Sequence, residues 1–345
     1  MLSRVADSLY WMSRYVERAE NVARFVDVNL HLILDAPIGT TEQWQPLVVT
    51  TGDEKLFAER YNEASRDNVI EFLAFDRQNP NSIASCLRTA RENARSVREI
   101  ISSEMWEQIN TFYLMMHDPT ARRRVQEEPN ELFRAVKTAS HLFEGLTNAT
   151  MSHGEGWHFC RMGRLLERAD KTSRILDVKY YILLPAVTDI GTPFDDIQWA
   201  AVLRSTSAFE MYRKRHHLLA PEQIVNFLLL DREFPRSMHY CLVKADESLH
   251  AISGTPLGTF RNPAEQQMGQ LRAELAYAVV TDIIAMGLHE FLDAFQSKLN
   301  KVGDSIFATF FATQPVGGTR PAVEQEQTDT QAMQQTSVTF RASGG

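Results

Sequence analysis

Arg14-Tyr15-Val16-Glu17-Arg18-Ala19-Glu20 recurs 150 residues later as Arg164-Leu165-Leu166-Glu167-Arg168-Ala169-Asp170, and the match continues through Arg24/Arg174, Asp27/Asp177 and Val28/Val178. Between residues 9–34 and 159–184 the apolar positions drift: Tyr15 stands opposite Leu165, Phe25 opposite Ile175, Trp11 opposite Arg161. The six Asp, Glu and Arg positions of the first copy keep their sign in the second. Packing ordinarily holds apolar character and lets surface charge wander, so these charges are specified by something stronger than solubility.

The first copy sits in one long predicted helix over residues 2–34. Leu2, Val5, Leu9, Met12, Val16, Ala19, Ala23, Val26, Leu30 and Ile33 advance by three and four residues, and Trp11, Tyr15, Val22 and Phe25 widen the apolar arc toward a second neighbour. Pro37 and Gly39 are expected to end it. Helical spacing continues over 54–75, 82–116, 120–127, 130–151, 157–184 and 264–311, with breaks at Asp76-Arg77-Gln78-Asn79-Pro80, His117-Asp118-Pro119 and His153-Gly154-Glu155-Gly156. A second block repeats at an offset of 155. Phe72-Leu73, Asp76-Arg77, Pro80, Ser82, Cys86-Leu87, Ala90 and Glu92 correspond to Phe227-Leu228, Asp231-Arg232, Pro235, Ser237, Cys241-Leu242, Ala245 and Glu247. The expectation is an all-α helical bundle of two pseudo-symmetric tandem repeats of about 150 residues, 1–155 and 156–313, packed as one domain. Residues 314–345, rich in Gln, Thr and Gly, read as a disordered tail.

On a wheel of about 100° per residue, Arg14, Glu17, Asn21 and Arg24 form one stripe opposite the centre of the apolar arc, flanked by Glu20 and Asp27. Arg14/Glu17 and Glu20/Arg24 are spaced to pair, but exposed pairs contribute only a few tenths of a kcal/mol. Arg18 lies at the border of the apolar arc and needs carboxylates or a bound anion there. Three readings stand. Arg14, Glu17, Arg18, Glu20, Arg24, Arg164, Glu167, Arg168, Asp170 and Arg174 join the two copies as an ion-pair network, drawing on Asp76-Arg77 and Asp231-Arg232 as secondary partners. Alternatively they line a pocket for an acidic or amino-acid-like ligand. A carboxylate metal cluster of Glu17, Glu20, Glu167 and Asp170 is the weakest, because it lacks Glu-x-x-His and arginines crowd the same face; no metal is expected.

Composition excludes several classes. The 345-residue chain has a formal charge of −8 and a pI near 5.7, against a nucleic-acid-binding surface. No apolar run is long enough for a bilayer and the N-terminus lacks the core of a secretory signal, so the expected setting is cytoplasmic. Cys86, Cys160 and Cys241 are too scattered for disulfides or zinc, and Cys86 and Cys241 fall at helical core spacing as buried thiols. His153 and His158 with Glu155 lie in a turn whose spacing is not that of a zinc site, and His216-His217 lies in the charged run with Arg213, Lys214 and Arg215. No Gly-rich phosphate loop, Walker motif or serine elbow is present, so no cofactor is expected.

Met1 to Met12 with Arg14-Tyr15-Val16-Glu17-Arg18-Ala19-Glu20-Asn21 resembles the opening of the bacterial alpha-E family. Gly156-Trp157, Gly163-Arg164, Leu166 to Asp170, Asp231-Arg232-x-x-Pro235-Arg236-Ser237 and Gly287 to Leu292 extend the resemblance to about residue 312. It implies an all-helical protein of unassigned activity, encoded beside or fused to a circularly permuted ATP-grasp protein, with transglutaminase-like proteins and sometimes a proteasome-like peptidase as neighbours. The role this implies is a helical partner of an amide- or peptide-forming ligase, docking to it and presenting an acidic or amino-acid substrate. The rival is an enzyme in its own right, with Glu17 or Glu167 as base in amide hydrolysis or transfer; a third reading is a scaffold. A homo-oligomer is compatible with each.

Overall fold

The computed structural model describes residues 1–35, 44–181 and 193–312. Every regular element among them is helical. The longest, α1 (Ser3–Asp35), contains neither Gly nor Pro, and at 33 residues it extends about 50 Å. Its expected end at Pro37 and Gly39, and the tail 314–345, lie outside the described residues.

Short helices α2 (Gln45–Thr51), α3 (Glu54–Ala58) and α4 (Arg66–Ile70, running into a π-helical turn over Glu71–Phe75) lead to α5 (Ile83–Ser96), α6 (Ser103–His117), α7 (Ala121–Glu127) and α8 (Pro129–Thr150). Then follow α9 (Glu155–Tyr181), α10 (Pro193–Ser205), α11 (Phe209–Arg215), α12 (Pro221–Leu230), α13 (Met238–Ser253), α14 (Pro263–Ala276), α15 (Val280–Met286) and α16 (Leu288–Ile306, with a second π-helical turn to Phe311). In the first part α1 packs on α5, α5 on α6, α6 on α8 and α8 back on α1; in the second α9 packs on α13, α13 on α14, α14 on α16 and α16 back on α9. The two rings share the contact between α1 and α9, and residues Met1–Ala312 form one compact unit.

Gly163 makes that contact close. A Cβ there would lie 2.4 Å from the Tyr10 carbonyl oxygen, so only glycine lets the two backbones cross at this point. α1 is consequently buried on more than its apolar arc. Leu9, Met12, Ala19 and Val26 are fully enclosed, and Glu17, Glu20, Asn21 and Arg24 are buried with them.

Three expected helices are subdivided. The run 82–116 breaks between Ser96 and Ser103, where Ser102 accepts from the Met105 amide and starts α6 afresh, while buried Val97 and Ile101 keep the apolar spacing unbroken. The run 54–75 breaks after Ala58 and restarts at the Ser65 cap. The run 264–311 breaks at Tyr277–Val279 and at Gly287, whose φ of 106° is glycine's territory and where a Cβ would strike the Glu290 carboxylate. Apolar periodicity survives a tight turn that redirects the axis, which is why it merged these pieces.

Candidate functional site

At the crossing of α1 and α9 the recurring Glu-Arg pairs exchange partners. Arg168 donates from Nε and a terminal nitrogen to the two oxygens of Glu17, at 2.9 and 2.8 Å. Arg18 makes the same fork on Glu167, at 2.6 and 3.0 Å. Glu17 and Glu167 are 1% and 0% exposed, so each carboxylate exists inside the protein only because a guanidinium from the other helix meets it.

Around Glu167 the remaining partners are Arg14, whose Nε donates at 2.9 Å, and Lys171 at 3.6 Å. Asp170 is held by Lys171 and Arg174, each at 3.0 Å. Arg18 gives its third bond to Asn81 at 2.7 Å, and Asn81 in turn donates to Asp53. Burial pushes the Glu167 carboxyl up, but Arg18, Arg14 and Lys171 outweigh it and hold it well below the usual range.

Around Glu17 the surroundings differ. Arg236 donates to Glu17 at 3.0 Å, to Asn21 at 3.3 Å, and to Glu20. Glu20 also accepts from Arg24 at 2.8 Å and from Ser140 at 2.7 Å, and His141 lies 3.2 Å from it. Arg168 reaches Glu144 at 3.1 Å, and Arg164 pairs with Glu144 at 3.3 Å rather than with Glu17. Burial raises the Glu20 carboxyl, yet Arg236, His141 and Arg24 together pull it well below its ordinary value. Burial and Arg236 lower the pKa of Arg24, and burial lowers that of Arg164 despite Glu144.

The secondary pairs do not join this network. Asp76 receives Arg60 at 2.7 Å and the Gln78 amide at 2.9 Å, and Asp231 receives Arg215 together with the Glu233 and Phe234 amides. Arg77 and Arg232 are exposed. Both aspartates build the turns ahead of Ser82 and Ser237, which cap α5 and α13 by accepting from Ser85 and Tyr240. Their arginine partners were missed by sequence, although Arg60 and Arg215 also stand 155 residues apart. Cys86 and Cys241 point at the carbonyls of Pro80 and Pro235, and burial pushes both thiols up to about 12. Those thiols are poor nucleophiles. His153 stacks on Trp157 at 4.1 Å in the turn before α9. Arg215 at the end of α11 is tied to Asp231 and Glu233, beside an exposed His217.

Asn81, Ser140, His141, Glu144 and Arg236 therefore complete a network of which the recurring stretch showed only the centre. Glu17, Glu20, Glu167 and Asp170 spend their oxygens on cations, the Asn21 amide and the Ser140 hydroxyl, and among the described residues no group of His, Cys, Asp and Glu is placed to hold a metal. A carboxylate whose pKa is depressed by enclosing guanidiniums, as at Glu167, is a weak proton acceptor at neutral pH. No helix among the described residues is long and apolar enough to cross a membrane.

Residues 1–311 match the alpha-E family, described as "a predicted alpha-helical domain with a conserved ER motif". Similar proteins include an uncharacterised protein of Mycobacterium bovis and uncharacterised proteins of two strains of Mycobacterium tuberculosis, each 23% identical over 344 aligned residues. The match covers 92% of this chain and 38% of each relative, so the chain spans well under half the length of the curated relatives it matches. No solved structure matches it. The chain belongs to the alpha-E family, and its Glu-Arg dipeptide occurs twice in the crossed pairs, as Glu17-Arg18 and Glu167-Arg168.

Proposed function

We propose that this alpha-E protein is a non-catalytic helical partner in an amide- or peptide-forming system built on a circularly permuted ATP-grasp protein, with a transglutaminase-like protein as a further associate. In this reading the duplicated Glu-Arg motif is the clamp that joins two pseudo-symmetric halves into a rigid docking unit. The observation that carries the clamp is the reciprocal fork, Arg168 on Glu17 and Arg18 on Glu167, with both carboxylates out of solvent. The two closed four-helix rings, and the equivalent pairs Arg60/Asp76 and Arg215/Asp231, support the two-fold organisation. The docking role is supported by the family resemblance, and by the relatives carrying more than half of their length outside the matched part.

A cytoplasmic site of action fits the buried, high-pKa thiols. Co-expression with the neighbouring ATP-grasp protein, followed by size-exclusion chromatography, is expected to give co-elution; separate elution of the two folded proteins would count against the partnership. Replacing Glu17 or Glu167 by Gln separates clamp from catalysis. A clamp residue changes stability, whereas a base abolishes turnover of the ligase mixture with the fold intact.

A further inference from the structure

A second concentration of arginines lies away from the crossed pairs, on the solvent side of α5 and α6. Arg88, Arg91 and Arg95 rise along α5, Arg77 stands in the turn before it and Arg98 in the turn after it. Arg77, Arg88, Arg95 and Arg98 are exposed, and Arg91 is half-buried. Arg91 and Arg95 share one carboxylate, Glu92, at 3.3 and 2.6 Å. Among the described residues no carboxylate pairs with Arg77, Arg88 or Arg98, in a chain whose formal charge is −8.

Aromatic side chains of α6 hold these cations in place. Arg98 lies 4.8 Å from the Trp106 ring centre, and Arg91 lies 4.8 Å from that of Tyr113 and 5.6 Å from that of Trp106. Arg91 also donates to Asn110 at 2.7 Å, tying α5 to α6. Tyr113 stacks on His117 at 4.0 Å, and Nδ1 of His117 donates to the Tyr113 carbonyl. Burial lowers the pKa of His117, and the charges of Arg77, Arg88 and Arg91 lower it further against the bond to Tyr113, so these cations converge on the end of α6. A guanidinium stacked on an aromatic ring keeps its N–H edge available and loses little freedom on meeting a carboxylate. The repeat does not account for this face. At the offset of 155, Arg88, Arg91, Arg95 and Arg98 become Val243, Asp246, His250 and Ser253, and only Arg77 meets an arginine, Arg232.

We propose that the solvent face of α5 and α6 is a docking surface for an acidic segment of a partner protein, whose carboxylates take the guanidinium forks of Arg77, Arg88 and Arg98. From Trp106 to His117 α6 rises about 16 Å, which an extended segment spans with about five residues. An acidic peptide fits this face better than a nucleic acid does. Trp106 and Tyr113 are half-buried and carry Arg91, Arg98 and His117 on their faces, which leaves guanidinium edges but no open ring for a base to stack on. The surface is separate from the Glu-Arg clamp and indifferent to which protein supplies the segment, so its failure leaves the ligase partnership to the co-elution test.

The test is fluorescence-polarisation titration of the full chain against a labelled oligoglutamate of about six residues, with an oligothymidylate of the same length as the rival probe, at neutral pH and an ionic strength of about 0.1 M. Oligoglutamate should bind saturably and more tightly than oligothymidylate. Arg88→Gln and Arg98→Gln should each weaken it about tenfold, the loss of one charge-assisted contact, while Arg122→Gln, on the exposed pair with Glu71, should leave it unchanged. A second readout places the peptide on this face: the His117 ring resonance, followed by NMR across pH, should titrate at higher pH in the complex, because bound carboxylates offset the charges of Arg77, Arg88 and Arg91. No binding of oligoglutamate up to about 1 mM, binding indifferent to both Gln variants, an unmoved His117 titration in the complex, or tighter binding of oligothymidylate overturns the proposal.

Discussion

Glu17 and Glu167 occupy the same place in the recurring stretch, and each takes a fork from the other's arginine, yet they live in different surroundings. The arginines on Glu167, Arg14 and Arg18, keep 18% and 16% of their side-chain surface in solvent, whereas those on Glu17, Arg168 and Arg236, keep 6% and 8%. Much of the difference traces to one pair of equivalent positions. Asn81 stands where Arg236 stands 155 residues later. Asn81 takes a bond from Arg18 and relays it to Asp53; Arg236 instead brings a further cation onto Glu17 and draws in Glu20. The crossed pair recurs and its setting does not: Glu167 meets Arg14, Arg18 and Lys171 with its arginines partly in solvent, whereas Glu17 meets Arg168 and Arg236 in the more buried setting.

The largest expected effect is at Glu17. Glu17→Ala strands Arg168 and Arg236 without their carboxylate and should lower the unfolding free energy by about 3–5 kcal/mol in urea denaturation. Glu167→Ala should cost less, about 2–3 kcal/mol, because Arg14 and Arg18 can regain water where they stand. Equal losses at the two sites would break the comparison. Arg236→Asn, which gives the second half the residue of the first, removes the contacts to Glu17, Glu20 and Asn21 and should cost about 2 kcal/mol. No loss on that substitution would mean that position 236 does not distinguish the halves.

Two pH effects follow, in decreasing size. Glu20 and Glu167 have folded pKa values below their unfolded ones, so their stabilisation is fully present above the unfolded carboxylate range and is lost as pH falls through the folded values. Acid unfolding followed by circular dichroism should accordingly flatten in Glu20→Gln relative to the parent. His289 runs the other way and is weaker. Its bond to Asp177 raises its pKa, so the contribution is present below the unfolded value and disappears as pH rises through the folded one. Partly exposed, this pair should contribute no more than about 0.5 kcal/mol, seen as a small loss of stability above neutral pH that Asp177→Asn abolishes.

The helical class, α1 and α9 were legible from periodicity and recurrence, and the recurrence pointed to the charges that meet where the two helices cross, because a charge kept while its apolar neighbours drift must have a fixed partner. The wheel singled out Arg18 as needing a carboxylate, and Glu167 meets it. It also set the Arg14–Arg24 stripe away from the core, since a single helix cannot show that a second helix will cover its polar face. Glu144, Ser140 and His141 come from α8, whose approach to α1 is decided by packing and leaves no trace in the motif. Arg236 stands in the signature that carries the family resemblance, but the repeat gives no hint that it joins the charges, because its counterpart is Asn81. Asp76 and Asp231 found Arg60 and Arg215, not the network, since the turn they build faces α3 and α11.

The most direct test of the clamp is a double-mutant cycle on Glu17 and Arg168, using Glu17→Gln, Arg168→Gln and the double variant in urea denaturation. A reciprocal clamp predicts a coupling free energy of about 2 kcal/mol or more between two residues 151 positions apart. A coupling within about 0.5 kcal/mol of zero, with each single variant as stable as the parent, would contradict it.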